Sequence, residues 1–287
     1  MDRFSQYREK GLHVSELAQQ LWCEKRVELE LLYGKEETPD MIKGSKRHRE
    51  LFEEITPVLT VKAETWIDEF FVKLYQMWVL SCKVLSEGRA REVPVYGKVG
   101  TMILKGVVDE LLIKDGELFV IETKTRVSGK VPDYRAYERV VQFQLSLYKL
   151  MLDNIKKGDF HYCDVLKFYK ISPDASISET LLKSFPERPP TTNVCTMGFT
   201  AFETLKMLPE PSDTLVVRYE NQEGEFIGTR EFTFDGKSLQ ETIDFVLGFW
   251  EGLREAVPPL KNLWKCDFCP EKLKNMCDNY GKMQLKE

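Results

Sequence analysis

The sequence predicts an α/β protein with a central sheet flanked by helices, and three observations carry that reading. Residues 107–113 and 118–124 are two apolar, β-branched runs separated by Lys114-Asp115-Gly116, the pattern of a hairpin of central strands. Residues 66–85 ahead of it and 136–152 behind it carry apolar side chains at helical spacing. With 287 residues, 43% of them hydrophobic and 11% aromatic, the chain is near the upper size for one core. One elaborated domain or two intimately packed ones is expected; as a single domain over 1–287 it divides into a helical part to 90, a core at 91–172, a loop or helix insertion at 173–213, and a closing hairpin, helix and cysteine cluster at 214–287.

Taken in order, Ser15 can cap a helix beginning at Glu16, with Leu17, Leu21, Val27 and Leu31 on its apolar side and Trp22-Cys23 inside it. Gly44 precedes a short charged helix at 45–54 that carries His48. The 66–85 helix turns Phe70, Leu74, Met77, Leu80 and Val84 inward and ends at Gly88. A strand from 92 to 97 passes through Gly100 into the hairpin, making a meander of about three strands. A loop at 128–132 leads into the 136–152 helix, where Val140, Val141, Leu145, Tyr148 and Leu152 recur. Residues 165–171 read as a further strand, and 173–193, rich in Ser, Thr and Pro, as a surface excursion or a mobile loop over the face of the hairpin. Runs at 214–219 and 226–234, parted by Asn221-Gln222-Glu223-Gly224, form a second hairpin, and a helix begun near Leu239 continues through 245–253.

No apolar run approaches the ~20 residues that span a bilayer, and Met1-Asp2-Arg3-Phe4-Ser5-Gln6-Tyr7-Arg8 has no signal-type apolar segment, so a soluble, unsecreted chain is expected. The net charge of −5, from 41 basic and 46 acidic residues, argues against nonspecific coating of nucleic acid. A local excess survives between 124 and 139, where Lys124, Arg126, Lys130, Arg135 and Arg139 face only Asp133 and Glu138. Beside Tyr134, Tyr137 and Tyr148, these cations suit a groove that tracks phosphates and stacks bases without reading sequence.

A charge in a buried strand is costly unless it is paired or holds a metal. Asp109 lies in the first central run, and Glu122 and Lys124 end the second. Strand alternation points Glu122 and Lys124 to one side and Thr123 to the other. If the register sets Asp109 beside them, two carboxylates can hold a hard divalent cation while Lys124 sits on the adjacent water or phosphate, a hydrolytic arrangement. An edge hairpin with Asp109, Glu110 and Lys124 in solvent fits this stretch equally well. Gln144 and Tyr148, four residues apart, share a helix face, either as ordinary helix side chains or as hydrogen-bonding tips aimed at a phosphate or base. Cys82, Cys163 and Cys195 lack an evident His-Asp relay, which argues against thiol catalysis.

Seven cysteines without a secretion signal do not make a disulfide framework. Cys266, Cys269 and Cys277 form a C-x2-C-x7-C run, so three thiolates from one short loop can hold zinc or an iron–sulfur cluster. A fourth ligand must come from His13, His48, His161, Cys23, Cys82, Cys163 or Cys195. Cys23 would tie the first helix to the tail, closing the longest loop available.

The ordered set of Cys23, Gly44 with His48, Gly106-Val107-Val108-Asp109-Glu110, Glu122-Thr123-Lys124, Gln144 with Tyr148, and the terminal cysteines resembles the RecB-like branch of the PD-(D/E)XK nucleases that carry an iron–sulfur cluster. Trp22-Cys23-Glu24, Ser86-Glu87-Gly88, Gln144-Leu145-Ser146-Leu147-Tyr148-Lys149 and Trp264-Lys265-Cys266 look most like the exonuclease V, or defects-in-morphology, family. The likeness runs from about Val14 to Cys277. It implies a PD-(D/E)XK, restriction-endonuclease-like core with a central mixed sheet, its termini joined by the cluster. It further implies that His48, Asp109 and Glu122 ligate Mg2+ or Mn2+, with the Thr123 carbonyl adding a ligand, and that Lys124 orients the attacking water. Gln144 and Tyr148 would shape the site and contact substrate, and Cys23, Cys266, Cys269 and Cys277 would hold a [4Fe-4S] cluster. The last spacing, Cys269 to Cys277, is two residues longer than is common in that group.

The activity so implied is exonucleolytic cutting of single-stranded DNA from an end into short oligonucleotides, in DNA repair or genome maintenance. The setting is intracellular, in the nucleus or mitochondrion if the source is a eukaryote, by a monomer off the membrane, with a single-strand-binding protein as a candidate partner. Two other readings are a Cas4-like nuclease subunit of a larger complex and a silent iron–sulfur module that binds nucleic acid; the intact Asp109, Glu122 and Lys124 set speaks against the silent module.

Overall fold

The computed structural model describes residues 4–58, 60–126, 129–131 and 135–280. Ser128, Pro132, Asp133 and Tyr134, and the side chain of Arg135, lie outside the described residues. The elements run α1 (Ser5–Lys10), β1 (Leu12–His13), α2 (Val14–Tyr33), α3 (Pro39–Glu53), α4 (Trp66–Glu87), β2 (Arg89–Val99), β3 (Met102–Lys114), β4 (Glu117–Arg126) and α5 (Arg135–Lys157). There follow α6 (Tyr162–Tyr169), α7 (Glu179–Ser184), α8 (Val194–Lys206), β5 (Thr214–Asn221), β6 (Phe226–Thr233), α9 (Gly236–Trp250), a 3-10 turn (Leu263–Phe268) and α10 (Glu271–Met276).

The six strands make one mixed sheet with helices packed on it, the α/β architecture expected. β2, β3 and β4 pair antiparallel in sequence, β4 and β5 pair parallel, and β6 closes antiparallel on β5. Strand alternation at Tyr96 and Gly97 divides the layers. The Tyr96 ring meets Phe70 of α4 at 6.0 Å, and a side chain at Gly97 would strike Met151 of α5. The two long helices thus cover opposite faces of β2, and the buried apolar side chains form one cluster. α4 begins with a reciprocal cap, the Asp68 N–H on Thr65 Oγ1 at 3.1 Å and the Thr65 N–H on Asp68 Oδ2 at 3.2 Å, and ends at Gly88 with φ 80°.

β3 carries β2 along one edge, whereas its other edge is shared by β1 at the start and β4 at the end. Pairing with β4 stops at Glu110 opposite Ile121, after which β4 runs on beside β5 from Ile121 to Arg126. The next two residues, Asp109 and Glu122, stand where the strands fork. On the other side Arg91 pairs with Glu110 and Val93 with Val108, which puts Glu92 opposite Asp109. Glu92, Asp109 and Glu122 therefore form a row across three neighbouring strands.

Several expectations are corrected. Residues 165–171 are not a strand: α6 occupies Tyr162–Tyr169, started by the His161 N–H on Asp164 Oδ2 at 2.9 Å, with Tyr162 and Val165 buried at helical spacing. The β-branched and aromatic content there serves a helix face because a capping pair precedes it. The first long helix starts at Val14 with His13, not Ser15, before it, and α3 runs through Gly44 from a Thr38 cap, with the Met41 N–H on Thr38 Oγ1 at 3.3 Å. The stretch 173–193 contains α7 and packs Phe185 on Tyr75 of α4 at 5.1 Å, while Ser178 is tied to Asp68 at 2.8 and 2.9 Å. Within 173–213 the sequence pattern does not set α8 apart; Asn193 Oδ1 starts it by accepting the Thr196 N–H at 2.8 Å.

Candidate active site and cysteine pocket

The fork gathers charge from four elements. Asp109 is buried on β3, Glu122 is buried on β4, Glu92 projects from β2, and His48 comes across from α3. His48 Nδ1 lies 3.1 Å from Glu92 Oε1 and 3.7 Å from Asp109 Oδ1, and ligand atoms of these three residues all fall within 4.8 Å of one another. Asp109 Oδ2 accepts the Thr123 N–H at 2.7 Å, which fixes its carboxylate against the neighbouring strand. Glu122 lies beside that tight group, with Oε1 held by Lys124 Nζ and Oε2 by Gln144 Nε2 at 3.0 Å. The same-face pairing of Glu122 with Lys124 is the alternation expected of β4.

The charges are unbalanced in a telling way. Burial, then the negative charge of Glu122, pushes Asp109 up to about 7. Burial acts to lower His48, yet the Glu92 hydrogen bond and the charges of Asp109 and Glu92 outweigh it and push it up to about 9. Burial likewise works against the Lys124 ammonium, but Glu122 above all holds its pKa over the usual lysine value. The site therefore takes up positive charge wherever it can. An oxygen-rich donor set with one imidazole fits a hard divalent cation.

Glu92 is the residue that sequence reading missed. It adopts φ 55°, rare for a residue with a side chain, in the middle of a long strand, and the distortion turns its carboxylate to His48. Its position opposite Asp109 is a matter of register, which alternation within one strand does not reveal.

Gln144 and Tyr148 reach the fork from one face of α5, as their spacing predicts. Tyr148 is buried, and burial followed by the charges of Glu122 and Asp109 raises its phenol pKa. Gly106 makes room for it: a Cβ there would lie 2.5 Å from the Tyr148 ring and 3.1 Å from Val14. Gly106→Ala is expected to cost about 2 kcal/mol of stability through overpacking and to lower cleavage by displacing Tyr148, as checked by thermal melting and initial rates.

Cys23, Cys266, Cys269 and Cys277 line one pocket. Cys23 interrupts α2 with extended backbone, φ −161° and ψ 107°, and its Sγ accepts the Arg26 N–H at 3.4 Å, starting the second half of the helix. Carbonyls freed by this break, at Leu21 and Trp22, accept from buried Lys265 at 3.3 and 3.1 Å. Beside it, buried Glu24 is gripped by Arg254 at 2.5 and 2.7 Å and by the Val257 N–H at 2.9 Å. Burial pushes the Cys23 thiol up to about 11, and the three tail cysteines add to the rise. Of the fourth-ligand candidates named above, Cys23 is the one that joins this pocket.

The sequence profile described as "Exonuclease V - a 5' deoxyribonuclease" matches residues 1–117, 112–193 and 195–278. The chain belongs to the exonuclease V family. With that membership it is a hydrolase that acts on DNA, a deoxyribonuclease. Among its relatives, Exonuclease V of Danio rerio is 29% identical over 274 residues, covering 92% of this chain and 69% of that protein. Among solved structures, the crystal structure of SSO0001 covers 93% of this chain and 85% of that one at 14% identity and a TM-score of 0.43. Among the described residues, no helix is long and apolar enough to cross a membrane.

Proposed function

We propose that this member of the exonuclease V family is a divalent-cation-dependent exonuclease that enters single-stranded DNA at an end and releases short oligonucleotides. The observation that carries the reading is the row of Glu92, Asp109 and Glu122 across the forked strands, with His48 closing one side and Lys124 the other. This row also supports a PD-(D/E)XK core, in which Asp109 and the Glu122-Thr123-Lys124 triplet lie on adjacent strands.

His48, Glu92 and Asp109 would hold Mg2+ or Mn2+, with Glu122 and the Thr123 carbonyl completing the set. When bound, the cation polarises the scissile phosphate and neutralises charge developing on its oxygens. Lys124 donates toward the attacking water and the growing negative charge, while Glu122, held by Lys124 and Gln144, keeps that ammonium in place. Tyr148 closes the back of the site. No side chain forms a covalent intermediate. The family description as a 5′ deoxyribonuclease supports cutting from the 5′ end.

Cys23, Cys266, Cys269 and Cys277 would hold a [4Fe-4S] cluster that pins the tail to α2. The chain would act as a monomer, intracellularly in the nucleus or mitochondrion, in DNA repair, on strands that a single-strand-binding protein also covers.

Cation binding supplies a direct test. A proton held by His48 and Asp109 must leave before a cation enters, so Mg2+ affinity is expected to rise as pH climbs through about 7 toward about 9. Calorimetric titration in buffers of differing ionisation enthalpy should show proton release on binding. Affinity that is flat with pH, or retained in Glu92→Gln, would remove these residues from the cation site.

A further inference from the structure

We propose that Arg126 anchors the DNA phosphate next to the one that is cut. This deepens the reading above and rests on it, because it takes Glu122 and Lys124 to face the scissile phosphate. Strand alternation places Glu122, Lys124 and Arg126 on one face of β4. Two residues of strand advance by ~6.7 Å, about one nucleotide of an extended single strand, so a chain lying along this face meets Arg126 one phosphate beyond Lys124.

Among the described residues no carboxylate pairs with Arg126, whereas Lys124 beside it on β4 is paired with Glu122. Of the other buried or half-buried arginines, Arg26, Arg47, Arg91, Arg218, Arg230 and Arg254 each meet a carboxylate, and Arg8 a backbone carbonyl. Among the described residues Arg126 meets neither: it hydrogen-bonds the Tyr219 side chain, and its Nε and Nη2 are buried without a hydrogen-bond partner. Unpaired buried donors are costly, and they point to a group that completes them.

Its surroundings hold the guanidinium in place without neutralising it. The Tyr137 ring centroid lies 4.4 Å from the guanidinium carbon and that of Tyr219 lies 5.6 Å away. Tyr219 is the register partner of Lys124 on β5, and Tyr137 rests edge-on against Trp22, the residue before Cys23, at 6.4 Å. The planar fork of arginine matches two oxygens of a phosphodiester, and among the described residues this cradle offers no group that distinguishes one base from another. The ligand is therefore the backbone of a single strand, held irrespective of sequence.

The test is binding of an oligothymidylate by the whole protein, followed by fluorescence anisotropy across a salt series without divalent cations. Arg126→Gln is expected to bind about tenfold more weakly, with the salt slope reduced by about 0.7, and Arg126→Lys to fall between. A single uncharged methylphosphonate is then walked along the strand. The wild type should lose a similar factor at one linkage beside the cut, whereas Arg126→Gln should be indifferent there and still sensitive elsewhere. Equal affinity and slope, or the same methylphosphonate profile in both proteins, would overturn the anchor. So would a lost affinity that tracks a fall in melting temperature and is not partly rescued by lysine. Wild-type protein that fails to bind the strand also overturns it. Wild-type protein that binds the strand but leaves it uncut with Mg2+ sinks the nuclease reading of the site while the binding comparison still decides Arg126.

Discussion

Replacing Asp109 with asparagine is expected to lower DNA cleavage by roughly a thousandfold or more, while the cation-free protein melts no lower than the wild type. Asp109 is buried at the fork, and burial together with Glu122 pushes its pKa up to about 7. A carboxyl whose folded pKa lies above its unfolded value gives stability that is fully present at acid pH and lost as pH rises through the folded value. Asparagine carries no such loss and still offers an oxygen to the Thr123 N–H now held at 2.7 Å. Its melting temperature should therefore gain on the wild type between about pH 5 and pH 8. The rise in melting temperature that Mg2+ gives the wild type should disappear. Initial rates on a labelled strand and melting curves with and without Mg2+ check both halves, and wild-type cleavage by clean Asp109→Asn protein would remove the assignment.

Cys269→Ser is expected to act in the opposite sense, costing stability far more than chemistry. Four ligands around the proposed cluster would contribute folding free energy outright, and losing one should cost about 4 kcal/mol or more, lowering Tm by roughly 10 °C. The tail would not be released altogether, because Arg254 on Glu24 and Lys265 on the Leu21 and Trp22 carbonyls tie it to α2 independently. Cleavage per folded molecule should stay within a few-fold of the wild type. Iron content, colour and melting temperature measured on the same sample decide the matter. A colourless, iron-free protein that is fully folded and active would reject the cluster.

Much of this arrangement is legible in the residues themselves, and what is not has physical reasons. Glu122 and Lys124 pair on one face because a strand alternates, and Gln144 and Tyr148 arrive together because a helix repeats every three to four residues. Glu92 is hidden because its place opposite Asp109 depends on pairing between strands and on a backbone at φ 55° that local propensity does not suggest. The 165–171 stretch misleads because Val165 and Phe168 suit a strand or a helix, and the His161 and Asp164 cap decides for the helix. Cys23 is hard to place from spacing alone, since the extended residue that breaks α2 sits inside an otherwise continuous helical pattern. Arg126 belongs to the basic segment at 124–139, but only the three-dimensional neighbourhood separates it from arginines that have carboxylate partners.

The central claim is that the forked strands hold a cation that cuts single-stranded DNA from an end. Its most direct test is digestion of 5′-labelled linear and circular single strands of the same sequence by the wild type, with Mg2+ or with EDTA. Short labelled oligonucleotides from the linear strand with Mg2+, an intact circle, and no cleavage in EDTA are the expected result. Cutting that persists in EDTA, or a circle degraded as fast as the linear strand, would contradict it.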